Sequence, residues 1–280
     1  MLAAFDRLLQ EPPGVTEQSG WRLRLLELLW FGLKEARACL FAGIIFAAIL
    51  LMPRNGIAGL PRYDLLLLIA VLSQAWLLWR KLETWDEFKA ILVFHALGFA
   101  LEAFKVSEAI GSWQYPEFAY SKLLGVPLFS GFMYAAVGSY MIQAWRLMDL
   151  RIEHHPPYWM SWAVSVAIYI NFFSHHFMAD LRIPLAALAL GLYARCTVVF
   201  RPLRRDLRMP LMLALALIGF FLWLAENFGT LFGVWQYPNQ FGAWATVHVG
   251  KWGAWSLLVM MTFSIVANLK HIKATIRLAP

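Results

Sequence analysis

The sequence has little charge and almost no cysteine. Asp, Glu, Lys and Arg make up only 15% of its 280 residues, against about a quarter in soluble domains. A water-soluble globular protein of ordinary composition is thereby excluded. Cys39 and Cys196 lie in or beside apolar stretches without partner spacing, which excludes a disulfide framework and a metal knuckle. Neither His-x-x-x-His nor Glu-x-x-His occurs, so the usual helical signatures of a metal site are missing. Met1 to Gly20 contains Asp6, Arg7, Glu11 and Pro12-Pro13 but no apolar core of signal-peptide type. The mature chain is therefore expected to begin at Met1.

What the sequence has is apolar surface. Hydrophobic residues reach 61%, with 14 Trp, and the mean hydropathy is +0.60. So much Trp and Phe reads as lipid contact and interfacial anchoring. Apolar runs long enough for a ~30 Å hydrocarbon core recur about eight times. They fall at about 35–52, 63–79, 87–105, 123–148, 158–178, 183–200, 209–229 and 244–268. Prolines punctuate them at Pro53, Pro61, Pro116, Pro156-Pro157, Pro184, Pro202 and Pro238. Only helices satisfy their own backbone over such lengths in lipid. The expected fold is an all-α polytopic membrane bundle of about eight transmembrane helices. Residues 1–34 form a cytosolic or interfacial segment and residues 35–280 a single transmembrane domain. Trp21 to Lys34 reads as an amphipathic helix, lying on the membrane surface or packed on the bundle from the cytosol.

Lys and Arg set the orientation. With the N-terminus inside, inner segments carry Arg22, Arg24 and Lys34, then Arg80 and Lys81, Arg146 and Arg151, Arg201 to Arg208, and Lys270 onward. Outer loops carry only Arg54, Arg62, Lys122 and Arg182. Both termini are expected in the cytoplasm. The net charge of +7 is accounted for by topology, and no nucleic-acid partner is expected; the partner is the bilayer.

One tetrapeptide occurs twice. Glu102 precedes Trp113-Gln114-Tyr115-Pro116, and Glu226 precedes Trp235-Gln236-Tyr237-Pro238. Each copy leaves an apolar run, passes a carboxylate and ends in the same four residues. This predicts two parallel four-helix repeats, about 35–150 and 155–270, with both tetrapeptide loops on the outer face.

Ionisable residues inside spans cost roughly 2.5–3.5 kcal/mol each and mark function. Here they are His95, Glu102, Lys105, His175, His176, Asp180, Glu226, His248 and Lys251. Most fall in the outer half of the predicted bilayer. His176 and Asp180, four apart, would share a helix face, which favours His176 over His175 as the inward ring. Three kinds of chemistry remain open. Glu102 and Glu226, with Asp180, could work as acid and base on a substrate, because a carboxyl in apolar surroundings can stay protonated and donate. His95, His176 and His248 could hold a transition metal. The same groups could simply pair with one another and tie the bundle. Trp113, Gln114, Tyr115, Trp235, Gln236, Tyr237 and Lys251 would line the entrance and bind substrate.

Two resemblances carry further expectations. The stretch Phe129-Ser130-Gly131-Phe132-Met133-Tyr134-Ala135-Ala136-Val137-Gly138-Ser139-Tyr140, followed by Ala144-Trp145-Arg146, resembles the signature of the YoaT-like proteins. The Glu102 to Pro116 block belongs to the same pattern. That resemblance covers the chain from about Lys34 onward and implies a bacterial inner-membrane location without an assigned activity. Locally, Glu226, Gly229, Gly233, Trp235 and Tyr237 are similar to the Glu…Gly…Gly…Tyr-x-Tyr pattern of carotenoid hydratases and heterodimeric lycopene cyclases, with Trp235 in place of a Tyr. That likeness implies protonation of a polyene. The leading expectation is a membrane-embedded enzyme acting on a lipophilic, isoprenoid-like substrate. A proton-coupled transporter or channel and a non-catalytic binding or assembly subunit are the alternatives.

Overall fold

The computed structural model describes Leu9 and residues 20–278. Apart from Leu9, residues 1–19 of the expected N-terminal segment lie outside the described residues. In chain order the helices are α1 (Gly20–Ala38), α2 (Leu40–Leu51), α3 (Arg62–Trp79), α4 (Trp85–Val106), α5 (Phe129–Leu147), α6 (Tyr158–Ser174), α7 (Arg182–Leu192), α8 (Leu211–Leu231) and α9 (Gly250–Leu278). Short strands stand between them: β1 (Lys122–Leu123), β2 (Val126–Pro127), β3 (Arg151–Glu153), β4 (Thr197–Phe200) and β5 (Leu207–Pro210).

The chain is mostly helical, but the all-α expectation needs correction. β1 and β2 form a hairpin, and β3, β4 and β5 form an antiparallel three-stranded sheet in that order. Arg151 pairs with Val199, and Val199 with Arg208. The apolar run expected as one helix over 183–200 is split: α7 ends at Leu192, a turn follows, and Thr197–Phe200 is β4. Mean hydropathy cannot distinguish the two states. The Thr197-Val198-Val199-Phe200 segment is β-branched and aromatic, which suits a pleated, half-buried surface. At 11 residues, α7 is only about 16 Å long, too short to cross a bilayer unaided.

Three described helices are long and apolar enough to cross a membrane: α3, α8 and Gly250–His271 of α9. α2 and α7 are shorter apolar helices. α4 has 22 residues but carries Asp86, Glu87, Lys89, Glu102 and Lys105. A Thr84–Glu87 capping box opens it, each side chain taking the other's backbone N–H.

α1 and α2 follow one another across Cys39. The Cys39 N–H still reaches the Glu35 carbonyl at 2.8 Å, and the Gly43 N–H reaches Cys39 at 2.6 Å. α1 packs on α5. Its Glu27 accepts the Arg204 and Arg205 N–H groups at 3.4 and 3.2 Å, and Lys34 donates to the Arg201 carbonyl at 3.1 Å. One face of the amphipathic helix is thus packed on the chain. Trp21, Leu25, Leu28 and Leu29 stay exposed, as do Arg22 and Arg24.

α5 is the central helix, touching α1, α2, α3, α4 and α9. Its small residues permit this closeness: a Cβ on Gly138 would lie 2.2 Å from the Phe94 ring. The stretch 129–140 that resembles a family signature is this helix. Two apolar cores result. The larger joins α4 to α9 around Phe94, Ile142, Ile168, Leu211 and Val259. The other gathers Phe41, Tyr63, Phe129, Trp113 and Tyr237, and brings both tetrapeptides onto α2, α3 and α5.

A cavity between two bridged tetrapeptides

The two tetrapeptides meet. The Gln114 N–H donates to the Gln236 carbonyl and the Gln236 N–H to the Gln114 carbonyl, both at 2.9 Å. This isolated antiparallel bridge puts Trp113 and Tyr115 beside Trp235 and Tyr237. The Trp113 and Tyr237 rings lie edge to face at 5.8 Å. Behind them is a cavity of about 580 Å³, walled by α2, α4, α5, α6, α8, α9 and the tetrapeptides.

Glu102 and Glu226 both line it, and both are buried. On Glu102, Oε2 accepts from Trp113 Nε1 at 2.8 Å and the Tyr115 hydroxyl at 2.9 Å, while Oε1 accepts from the Tyr134 hydroxyl at 2.7 Å. On Glu226, Oε1 accepts from the Tyr237 hydroxyl and Oε2 from Trp255 Nε1 at 2.7 Å. Each carboxylate is therefore held by the Tyr of the tetrapeptide that follows it and by an aromatic of the next helix, Tyr134 on α5 or Trp255 on α9. The rings of those two lie 6.0 Å apart. Neither glutamate forms an ion pair among the described residues.

Two glycines make room for the aromatics. A Cβ on Gly98 would fall 2.3 Å from the Tyr134 ring, and one on Gly229 would fall 2.2 Å from Trp235. Gly98→Ala is expected to push Tyr134 off Glu102 and lower stability by about 1–3 kcal/mol, the range for overpacking. Gly191→Ala, which meets nothing within 4 Å, is the control in the same thermal unfolding measurement.

The polar side of the cavity is cationic. Lys251 places its Nζ over the Trp113 and Tyr237 rings, 4.7 and 4.6 Å from their centroids. Lys105 donates to His176 Nε2 at 2.6 Å and to His175 Nε2 at 3.3 Å. His175 Nδ1 sits 2.8 Å from the Asn171 carbonyl and donates to it. Its Nε2 is thus a lone pair and the ring is neutral. Arg182 reaches the cavity wall while its Nε donates to Asp180 at 2.6 Å.

An outer clamp supports the tetrapeptides. Arg62, 1% exposed, donates from Nε to Glu117 at 2.8 Å, from Nη1 to the Phe232 carbonyl at 3.1 Å and from Nη2 to Gly233 at 3.0 Å. The Tyr63 hydroxyl donates to Val234 at 2.6 Å, and Lys122 to the Tyr115 carbonyl at 2.7 Å. Burial pushes the Glu117 carboxyl above its ordinary value, against the pull of the Arg62 guanidinium. Burial also lowers the Lys122 ammonium, against the pull of Glu117.

Of the expected site residues, Glu102, Glu226, Trp113, Tyr115, Trp235, Tyr237 and Lys251 all line the cavity. Gln114 and Gln236 do not: their backbones make the bridge, and Gln114 is exposed. Asp180 is also corrected. α6 ends at Ser174, so the four-residue spacing from His176 no longer means one helix face. Asp180 is exposed and engaged by Arg182. For the same reason His175 lines the cavity and His176 is exposed beside Lys105. The candidate metal ligands stand apart. His95 lies on α4 against Phe132, ring centroids 4.5 Å apart, and His248 is exposed before α9, accepting the Gly250 N–H at 3.1 Å. Among the described residues no three His, Cys, Asp or Glu side chains are grouped to hold a metal ion.

Sequence reasoning missed Tyr134, Trp255, Arg62 and Glu117. Tyr134 lay inside the recognised signature. A neutral aromatic in an apolar run otherwise carries no signal of its hydrogen bond, and Arg62 read only as an outer-loop charge.

Comparison with known proteins adds a family. Residues 27–263 match the model described as "Protein of unknown function (DUF817)". The chain is 47% identical over 247 residues to the "Uncharacterized protein YoaT" of Bacillus subtilis (strain 168), covering 88% of this chain and 93% of that protein. No solved structure matches. The resemblance to YoaT-like proteins is thereby shown, and the local likeness to carotenoid hydratases and cyclases has no counterpart among these matches.

Proposed function

We propose, from the premise that this chain belongs to the DUF817 family, that it is a multi-pass membrane enzyme moving protons on a lipophilic molecule held in the cavity. Glu102 and Glu226 are the acid and base. The observation that carries this reading is the matched setting of the two carboxylates on one largely apolar cavity. Each is held only by neutral aromatic donors. A carboxyl group not fixed by an ion pair can gain or lose its proton without stranding a partner charge. One glutamic acid delivers a proton to an unsaturated carbon of the substrate, and the other carboxylate removes a proton elsewhere. The product is an isomer, with no change in oxidation state. Trp113, Tyr115, Trp235 and Tyr237 close the cavity and keep water out.

The topology that suits this reading has about eight membrane segments in two halves, both termini in the cytoplasm and the cavity in the outer half of the bilayer. Most Lys and Arg fall on the inner segments, including Arg151 and Arg208 in the β3–β4–β5 sheet and Arg201 just after β4. The backbone bridge between equivalent glutamines supports two related halves.

The test is deuterium incorporation. Wild-type protein in detergent is incubated with a bacterial membrane lipid extract in D2O, and the lipids are read by mass spectrometry. A species gaining one mass unit, absent with the Glu102→Gln/Glu226→Gln double variant, is expected. Equal labelling by the double variant would overturn the mechanism. No labelling, with proton-gradient-driven uptake into proteoliposomes instead, would replace enzyme by transporter.

A further inference from the structure

The cavity lining combines two unlike kinds of surface, cationic and apolar. Its two carboxylates are engaged by aromatic donors, yet Lys105, Lys251 and Arg182 all reach it. Among the described residues Lys105 and Lys251 form no ion pair. Lys105 is held by two imidazoles and Lys251 by two aromatic faces. These contacts position the ammonium heads without neutralising them. Cations in apolar surroundings are costly unless paired. Glu226 and Glu102 act on Lys251 through the field, but their oxygens are taken by aromatic donors, which leaves the ammonium heads able to accept an anion from outside. The lining contributed by α2 is apolar, Ile45, Phe46 and Ile49 among it, and α8 adds Leu222. Gly43 beside them is exposed, and a Cβ there would meet nothing within 4 Å.

We infer that the cavity binds an amphiphile with an anionic oxygen head, the head between Lys105, Lys251 and Arg182 and the apolar tail along α2 and α8. This names the substrate class of the site proposed above and rests on that site being a ligand cavity. The two carboxylates then stand beside the part of the chain nearest the head, which is where the proton chemistry would fall.

Thermal unfolding of the full chain in a neutral maltoside detergent tests it, because a ligand that binds only the folded state raises the transition temperature. Tetradecyl phosphate, tetradecanol and inorganic phosphate are compared. Tetradecyl phosphate is expected to stabilise at concentrations about tenfold or more below those of tetradecanol, with inorganic phosphate inactive. In Lys251→Met, or Lys105→Met where the first does not fold, the preference is expected to fall below about threefold while the response to tetradecanol persists. Equal potency of phosphate and alcohol in the wild type would overturn the anionic head and leave the ligand cavity standing. A full response to inorganic phosphate alone would overturn the tail. An unchanged preference in both lysine variants would overturn the placement of the head. If neither amphiphile acts, the cavity reading itself fails.

Discussion

Glu102→Ala is expected to cost about 3 kcal/mol or more, while Glu102→Gln costs about 1 kcal/mol or less. The alanine leaves Trp113 Nε1, Tyr115 OH and Tyr134 OH without their acceptor in a buried site. Each stranded donor costs about 1–3 kcal/mol. The glutamine keeps the network. Its carbonyl oxygen can take the place of Oε2, which serves the indole and Tyr115. Its NH2 group then faces the Tyr134 hydroxyl, which can turn to accept. The same holds at Glu226, where the carbonyl would face the donor-only indole of Trp255 and the amide would face Tyr237. Thermal unfolding of the variants in detergent measures the difference. Equal losses for alanine and glutamine would show that the donors find other acceptors. The contrast also makes the glutamine variants clean probes of proton transfer, because they remove the exchangeable proton and keep the shape.

Arg62→Met is expected to be the second large loss, about 3–5 kcal/mol, the range for breaking a buried ion pair from one side. It strands the Glu117 carboxylate and the carbonyls of Phe232 and Gly233, all now served by one guanidinium. Lysine cannot replace it, because one ammonium cannot supply the planar fork. The double variant Arg62→Met/Glu117→Leu should recover part of the loss, since no unpaired charge remains. A double-mutant cycle on unfolding free energies measures this coupling. Strict additivity would show that the pair does not act as a clamp. Because Arg62 ties the loop of the first tetrapeptide to the turn before the second, Arg62→Met should also reduce the alkyl phosphate response.

The sequence revealed much of the site because the site is repeated. Two glutamates each preceding a Trp-Gln-Tyr-Pro loop needed no structure to be noticed, and seven of the expected site residues line the cavity. The errors at His176 and Asp180 share one physical cause. Spacing arguments assume a continuous helix, and the helix stops at Ser174, short of His176 and Asp180. Asn171 helps to end it: its side-chain oxygen takes the Leu181 N–H at 3.0 Å and its carbonyl faces His175. The glutamines misled for another reason. Repetition preserved the tetrapeptide, but its second residue serves through the backbone, which no side-chain reading detects.

By itself the sequence determined the apolar, mostly helical character of the chain, its family and the identity of the paired carboxylates. Composition, motif and repetition are local properties carried by residue type. Tertiary structure alone decided that the two tetrapeptides pair through their backbones, that Tyr134 and Trp255 complete the carboxylate settings, and that Arg62 clamps the loops. It also decided that the histidines stand apart and that an apparent span ends in a strand. Those outcomes depend on where helices end and which faces meet, and hydropathy records neither.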